Sequence, residues 1–359
     1  MALDNGFWRG RRVLLTGHTG FKGGWAAFWL KRLGAAVTGL ALAPDTEPDL
    51  WTLARVGDGL HSHIADLRDP EAVAAVVREA RPELVLHMAA QPLVRRSYAA
   101  PVETFATNVI GTVHLLEALR DASGLRAVLV VTSDKVYANA ETGRAFAEGD
   151  ALGGHDPYAA SKAAAELVTA SYAASFFAGA GVQVATARGG NVMGGGDFAA
   201  DRLVPDAWRA ARAGRPLVLR HPGATRPWQH VLDCVAGYLA YLQALGAGRA
   251  VPRALNFGPA TAADPVTVSQ IAEAVQRALG APAGWVVAED AAADPRREMA
   301  ALALDPAAAQ RALGWRCRLS TGDAVRFTAD WYRALAAGAD MAAVTGDQIA
   351  AYERLREPA

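Results

Sequence analysis

Two side chains four residues apart carry the first chemical signal. Tyr158 and Lys162 lie in Tyr158-Ala159-Ala160-Ser161-Lys162, and on a helix residues four apart share a face. An ammonium beside a phenol favours the phenolate and lowers the tyrosine pKa. Such a pair is a general base for an alcohol. Tyr and Lys are common on helices, so the pair gains its weight from following a glycine-rich turn and five expected strands. A second set, Thr132-Ser133-Asp134-Lys135, ends one of those strands. In open α/β sheets ligands bind at that edge, where a hydroxyl, an acid and an amine can meet a reacting carbon skeleton. The same four residues also read as a strand-to-loop transition with a local Asx turn.

The glycine-rich turn is Thr16-Gly17-His18-Thr19-Gly20-Phe21-Lys22-Gly23. It follows a strand and opens a helix, the context a dinucleotide site requires. Gly17 suits the tight turn, Gly20 lets a pyrophosphate approach the backbone, and Gly23 allows close helix–strand packing. The phosphates would sit at the positive end of the helix. Such sites usually place an acid after the second strand to hold the adenosine ribose. Here Asp45 is the nearest acid and comes one or two residues late. No Arg stands there for a 2′-phosphate, so NAD is expected rather than NADP. Asp66, followed by Leu67, is placed to reach the adenine, or to cap the next helix.

The elements that must position these groups alternate. Strands are expected at residues 12–16, 36–42, 62–64, 84–88, 127–132 and 182–187, with helices at 23–33, 70–80 and 157–177. Strands lacking strict polar alternation, separated by helices, predict a parallel sheet covered on both faces. The fold class is therefore α/β, a Rossmann-type doubly wound sheet. After Gly194 proline recurs and the elements shorten. Residues 1–190 are expected to form the NAD-binding core. Residues 191–359 are expected to form mainly a smaller α/β substrate-binding unit, interleaved with the first.

Composition removes other classes. Among 359 residues 52% are hydrophobic and 20% charged, which excludes wholesale disorder. Lys plus Arg and Asp plus Glu are 36 each, so no basic footprint marks a nucleic-acid or membrane-surface partner. Two cysteines, Cys234 and Cys317, make neither a disulfide framework nor a cysteine zinc site. The histidines show no H-E-x-x-H pattern, and no metal is expected. No apolar run reaches the roughly 18 residues of a membrane span, and no signal peptide is recognisable. The expected compartment is the cytoplasm.

Taken together, the glycine turn, the Thr/Ser strand end and Y-x-x-x-K resemble the extended short-chain dehydrogenase/reductase superfamily. The residues of 91–98, Gly153-Gly154-His155-Asp156-Pro157-Tyr158, Gly194-Gly195-Gly196-Asp197 and Thr225-Arg226-Pro227-Trp228-Gln229-His230-Val231 narrow the likeness. This set is similar to the CDP-glucose 4,6-dehydratase family, from about Arg12 to Tyr332. Asp134-Lys135 discriminates most, because the dTDP-glucose relatives carry Asp-Glu there.

The resemblance implies roles. Tyr158 would deprotonate the glucose 4-hydroxyl, Lys162 would hold the nicotinamide ribose, and Ser133 or Thr132 would bond O4. Asp134 would protonate the leaving 6-hydroxyl, and Lys135 would stand as the C5 base. The cofactor set would be Gly17, His18, Thr19, Gly20, Phe21, Lys22, Gly23, Asp66, Leu67, Ala89, Ala90 and Asn108, with Tyr158 and Lys162. Gln91, Arg96, Ser97, Asn191, Arg202 and Arg226 would bind the nucleotide sugar. Each Arg also reads as a surface charge with a buried stem. The family pattern has an acid at the position of Ala43 and a His before Glu298; this chain has neither. The implied activity is nucleotide-sugar dehydration by tightly held NAD, feeding deoxysugars for surface polysaccharide. A 4-epimerase, a dehydratase for another nucleotide or a non-catalytic NAD sensor are the rivals. Small-residue helix faces around 104–118 and after Tyr158 imply a homodimer or higher homo-oligomer.

Overall fold

The computed structural model describes residues 3–259, 266–282, 284–289, 299 and 301–355. Glu298 and its neighbours lie outside them. Seven parallel strands form the main sheet: β1 (Arg12–Thr16), β2 (Ala36–Ala41), β3 (His61–Ile64), β4 (Leu84–His87), β5 (Ala127–Val131), β6 (Gln183–Gly189) and β10 (Ala254–Phe257). Their order is β10-β6-β5-β4-β1-β2-β3. The order reverses between β1 and β4, and at such a switch point a crevice opens at the carboxyl ends of the strands.

Strand composition explains the absence of polar alternation. Val13 and Leu15 enter one apolar cluster and Leu14 the opposite one. Leu84 and Leu86 part from Val85 in the same way, as do Leu129 and Val131 from Val128 and Val130. Both faces are buried, so the central positions of these three strands are apolar. Asp-Pro pairs start two of the covering helices. Asp69 caps Pro70–Ala80 and Asp156 caps Pro157–Tyr172, each accepting a backbone N–H while proline fills the first turn. The cap of the first of these is thus Asp69; Asp66 binds Arg68 instead, at 2.5 Å.

The second half returns to the sheet. Helix Val231–Gly246 packs on it and leads into β10, which pairs with β6. What remains is small: β7 (Val192–Met193) pairs with β9 (Gln229–His230), and β8 (Leu217–Leu219) with β11 (Trp285–Val287). The last two helices, Thr321–Ala336 and Met341–Arg354, come back to the first. Trp29 donates to Glu353 (2.9 Å), and Trp25 donates to the Gly195 carbonyl (2.9 Å), whose α-carbon faces Trp331. No described helix is long and apolar enough to cross a membrane.

Buried histidines stitch the layers. His87 hydrogen-bonds Thr16 on β1 (2.7 Å) and Thr112 on helix Gly111–Leu119 (3.0 Å). His230 caps Val231–Gly246 through Leu232 N–H. Burial pushes both rings down to about 3, and Lys162 adds to the effect on His87. Folding therefore favours the neutral rings. As pH falls below the unfolded value near 6.5, the unfolded chain takes up protons that the folded chain refuses, and stability is lost toward pH 3. His87→Gln should flatten the dependence of unfolding free energy on pH by about 1.4 kcal/mol per unit between pH 6 and 4. Parallel slopes for the two proteins in denaturant titrations would mean that His87 is charged in the fold.

Candidate active site

The glycine turn is fixed by two close approaches. Gly17 has φ +79°, and a Cβ there would lie 2.8 Å from the backbone nitrogen of Ala89. A Cβ on Gly23 would fall 1.9 Å from the Gly17 carbonyl oxygen. Thr16 holds the other side, accepting the N–H of Met88 and of Ala89 at 3.1 Å. Gly20 has nothing nearer than 3.5 Å on its Cβ side, so its backbone stays open at the start of helix Phe21–Arg32. His18 is buried against Gly39 and bonds Ser62 (2.7 Å), and Thr19 donates to the Leu42 carbonyl (2.8 Å). Open backbone at a helix start, at the sheet's switch point, fits a dinucleotide pyrophosphate.

One cleft runs from this turn across the carboxyl end of the sheet. Lys22, Ser133, Asp134, Lys135 and Tyr158 line its floor. Asn191, Arg202 and Arg226 line its far wall, together with β8. Burial raises the pKa of Asp134, against the pull of Lys135, Ser133, Arg226 and Lys22. Its Oδ1 accepts from Ser133 (3.0 Å), while Oδ2 meets no partner among the described residues. Asp134 is thus a carboxyl biased toward its proton, on the cleft. Arg226 is 7% exposed, donating to the Thr225 carbonyl (2.9 Å). Arg202 pairs with Asp197 at 3.0 Å.

The base pair of the Tyr158 helix differs from expectation in its electrostatics. Lys162 donates to the Val131 carbonyl (3.1 Å). Burial and the nearby Lys22 push it down to about 7, against Glu166. Tyr158 is pushed up to about 12, chiefly by burial; a Ser133 hydrogen bond and the charge of Arg202 oppose the rise. Desolvation sets the direction for Tyr158, and the Lys162 ammonium is directed at a backbone oxygen.

Several expected contacts resolve differently. Arg96 turns away from the cleft to Glu103 (2.8 Å); its neighbour Arg95 lines it. On a helix consecutive residues point about 100° apart, so only one of the two can face inward. The Gln91 side chain is occupied by Leu93 and Thr104, and Asn108 by Gln91 and Ser161. Ser97 donates to the Val94 carbonyl and accepts the Tyr158 N–H (3.2 Å). These bonds shape the segment 91–97 and seat the Tyr158 helix on it. Thr132 gives its hydroxyl to Glu166 at 2.5 Å, which leaves Ser133 as the strand-end hydroxyl on the cleft. Ala90 follows Ala89 out of β4, and Leu67, beneath Gly111, accepts from His114 (2.9 Å). Sequence reasoning missed Arg95, Arg220, His221 and Trp228 on the cleft, and Glu166, which the four-residue spacing after Lys162 could have exposed. Among the described residues no three His, Cys, Asp or Glu side chains gather to hold a metal.

Residues 13–258 match the family model described as the NAD dependent epimerase/dehydratase family. A CDP-glucose 4,6-dehydratase of Salmonella typhimurium is 42% identical over 98% of both chains. A dTDP-glucose 4,6-dehydratase of an Actinoplanes species is 33% identical over 71% of this chain and 75% of its own. The Thermus thermophilus UDP-glucose 4-epimerase, solved with NAD, superposes with a TM-score of 0.76 at 28% identity, covering 89% of this chain and 98% of that one. The cofactor is NAD, and the cradle predicts how two glycines differ. Gly20→Ala should keep the melting temperature and weaken NAD binding, read by quenching of protein fluorescence. Gly23→Ala should lower the melting temperature itself. Equal behaviour of the two would contradict the packing at Gly17.

Proposed function

Since the chain belongs to the NAD dependent epimerase/dehydratase family, we propose that it is a cytoplasmic hydro-lyase converting CDP-glucose to CDP-4-dehydro-6-deoxyglucose and water. The observation that carries this reading is the pairing of Asp134 and Lys135 with Ser133 and Tyr158 along one cleft. Epimerisation at C4 needs only the last two. Elimination across C5–C6 needs an acid and a base more.

The 17–23 turn and Lys162 would hold NAD, which would supply the hydride acceptor for C4 and the hydride returned to C6. The chain's own groups manage the protons. Tyr158 takes the proton of the 4-hydroxyl while Ser133 bonds O4. The 4-ketone acidifies the C5 hydrogen, which Lys135 removes. Asp134, which burial biases toward its protonated form, gives its proton to the departing 6-hydroxyl, which leaves as water. The proton on Lys135, exchangeable with solvent, would return to C5 as C6 is reduced, and the proton taken by Tyr158 would pass through solvent to restore Asp134. Arg202 and Arg226 face the diphosphate, a task suited to guanidinium forks, and Asn191 approaches the same group. The product is a precursor for deoxysugars of surface polysaccharide.

The reading is tested by NMR of products formed from CDP-, dTDP-, GDP- and UDP-glucose in deuterated water with NAD. A 4-keto-6-deoxy product deuterated at C5, from CDP-glucose alone, is expected. Product from another nucleotide would overturn the cytosine preference, and 4-epimer alone would overturn dehydration. With Lys135→Met, deuterium entry at C5 should slow about 100-fold or more, within the usual span of acid–base catalysis. An unchanged rate removes Lys135 as the base.

We further propose a homodimer. Val102 (81% exposed), Phe105 and Ile110 on the 101–119 helices, and Leu167 (62%) and Phe176 after Tyr158, are exposed apolar side chains on neighbouring helices. A face of this kind on a soluble chain marks an interface. Sedimentation should give twice the chain mass, and Val102→Glu with Leu167→Glu should return the monomer. A monomeric wild type would refute this assembly.

A further inference from the structure

Behind the cleft lies a buried polar cluster that the chemistry above does not use. Glu166 stands four residues after Lys162, which stands four after Tyr158, so all three share one face of the helix. It is 4% exposed, and both carboxylate oxygens are occupied. Oε1 accepts from Thr132 (2.5 Å) and from Arg188 Nε (3.0 Å). Oε2 accepts from Thr186 (2.7 Å) and from Arg188 Nη2 (2.9 Å). Arg188 continues to the Tyr137 hydroxyl (2.9 Å) and the Glu148 carbonyl (3.1 Å). Tyr137 donates on to Asn256 of β10 (2.7 Å). The segment 132–137 is therefore held at both ends, at Thr132 by Glu166 and at Tyr137 by Arg188 and Asn256. Between these anchors stand Ser133, Asp134 and Lys135.

A buried ion pair is weak evidence for stability, because well-packed apolar residues of similar volume often do as well. What this one supplies that apolar residues cannot is direction: a bidentate guanidinium–carboxylate contact fixes the carboxylate plane, and that plane fixes Thr132. We propose that Glu166, oriented by Arg188, is a positioning residue. It ties the strand end bearing Ser133–Lys135 to the helix bearing Tyr158 and Lys162, and so sets the spacing between the oxidising pair and the eliminating pair. The roles given to the two pairs rest on the dehydratase reading; the spacing itself does not.

The test uses full-length protein loaded with NAD and three variants. Thr132→Val deletes the link from Glu166 to the strand end, with the longer contact of the same hydroxyl to the Ala187 carbonyl (3.4 Å). It should keep the melting temperature within a few degrees, leave KM for CDP-glucose within about twofold and lower kcat about 100-fold, the scale of a 1 Å misplacement. Its crystal structure should show residues 133–135 displaced against Tyr158. A kcat within twofold of wild type, or an unmoved turn, overturns the proposal. Glu166→Leu alone should destabilise, since it strands a buried guanidinium. Adding Arg188→Met should restore the melting temperature and leave kcat low. A kcat that recovers with the melting temperature would make the cluster merely structural and overturn the proposal. Should wild type not turn over CDP-glucose, the dehydratase reading fails, and the displacement of 133–135 in the Thr132→Val structure decides the positioning by itself.

Discussion

Everything downstream of β1 depends on how near helix Phe21–Arg32 can come to the turn before it. The Gly17 carbonyl occupies the place where any side chain on residue 23 would begin. That contact draws the helix start over the sheet's switch point, leaving its first N–H groups uncovered where β1 and β4 part. A methyl group at residue 23 would lift the helix, and with it Lys22, whose charge acts on Lys162 and Asp134. One missing Cβ thereby links the cofactor turn to the acid–base groups across the cleft.

Burial does the rest of the electrostatic work, in opposite directions for opposite charges. It raises Asp134 and Tyr158 and lowers Lys162, as desolvation must. Each group is thereby shifted toward its neutral form. For Asp134 this is the form that can donate a proton. For Tyr158 it is not the form a base requires, so the cleft has to supply positive potential before the phenol can act. Arg202 is the cation in place for that, held at 3.0 Å by Asp197.

Much of the fold was legible because its signals are local. Helix Pro70–Ala80 and strand Arg12–Thr16 fall where Asp-Pro punctuation and apolar runs put them. The expected order of six strands holds with ends shifted by a residue or two. The seventh, β10, was missed: Ala254–Phe257 is four residues long and gains its strand conformation from pairing with β6, a partner about seventy residues away. The cleft was legible where a motif reaches it, at Lys22, Ser133, Asp134, Lys135 and Tyr158. It was illegible where a choice between neighbours depends on the angle of a helix or the pleat of a strand. Arg95 and Arg96 have the same chemistry and adjacent numbers, and only packing of the 94–99 helix decides which enters.

That ambiguity follows from how such a site has to be built. A side chain can hold a ligand only if its own neighbours are held, and holding uses hydrogen bonds that then cannot serve the ligand. At the end of β5, Thr132 bonds the buried Glu166, while Ser133 bonds Asp134 and Tyr158 on the cleft. On the Tyr158 helix, Ser161 bonds the Tyr158 carbonyl and Asn108, while Tyr158 lines the cleft and Lys162 donates to the Val131 carbonyl beneath it. In the segment 91–97, Gln91 is taken up by the Leu93 backbone and the Thr104 hydroxyl and Ser97 by backbone groups, while Pro92, Leu93 and Arg95 line the cleft. Polar residues next to a reactive one share its motif and its burial, so sequence pattern groups them together. Only the direction of each hydrogen bond separates the group that reacts from the group that keeps it in place.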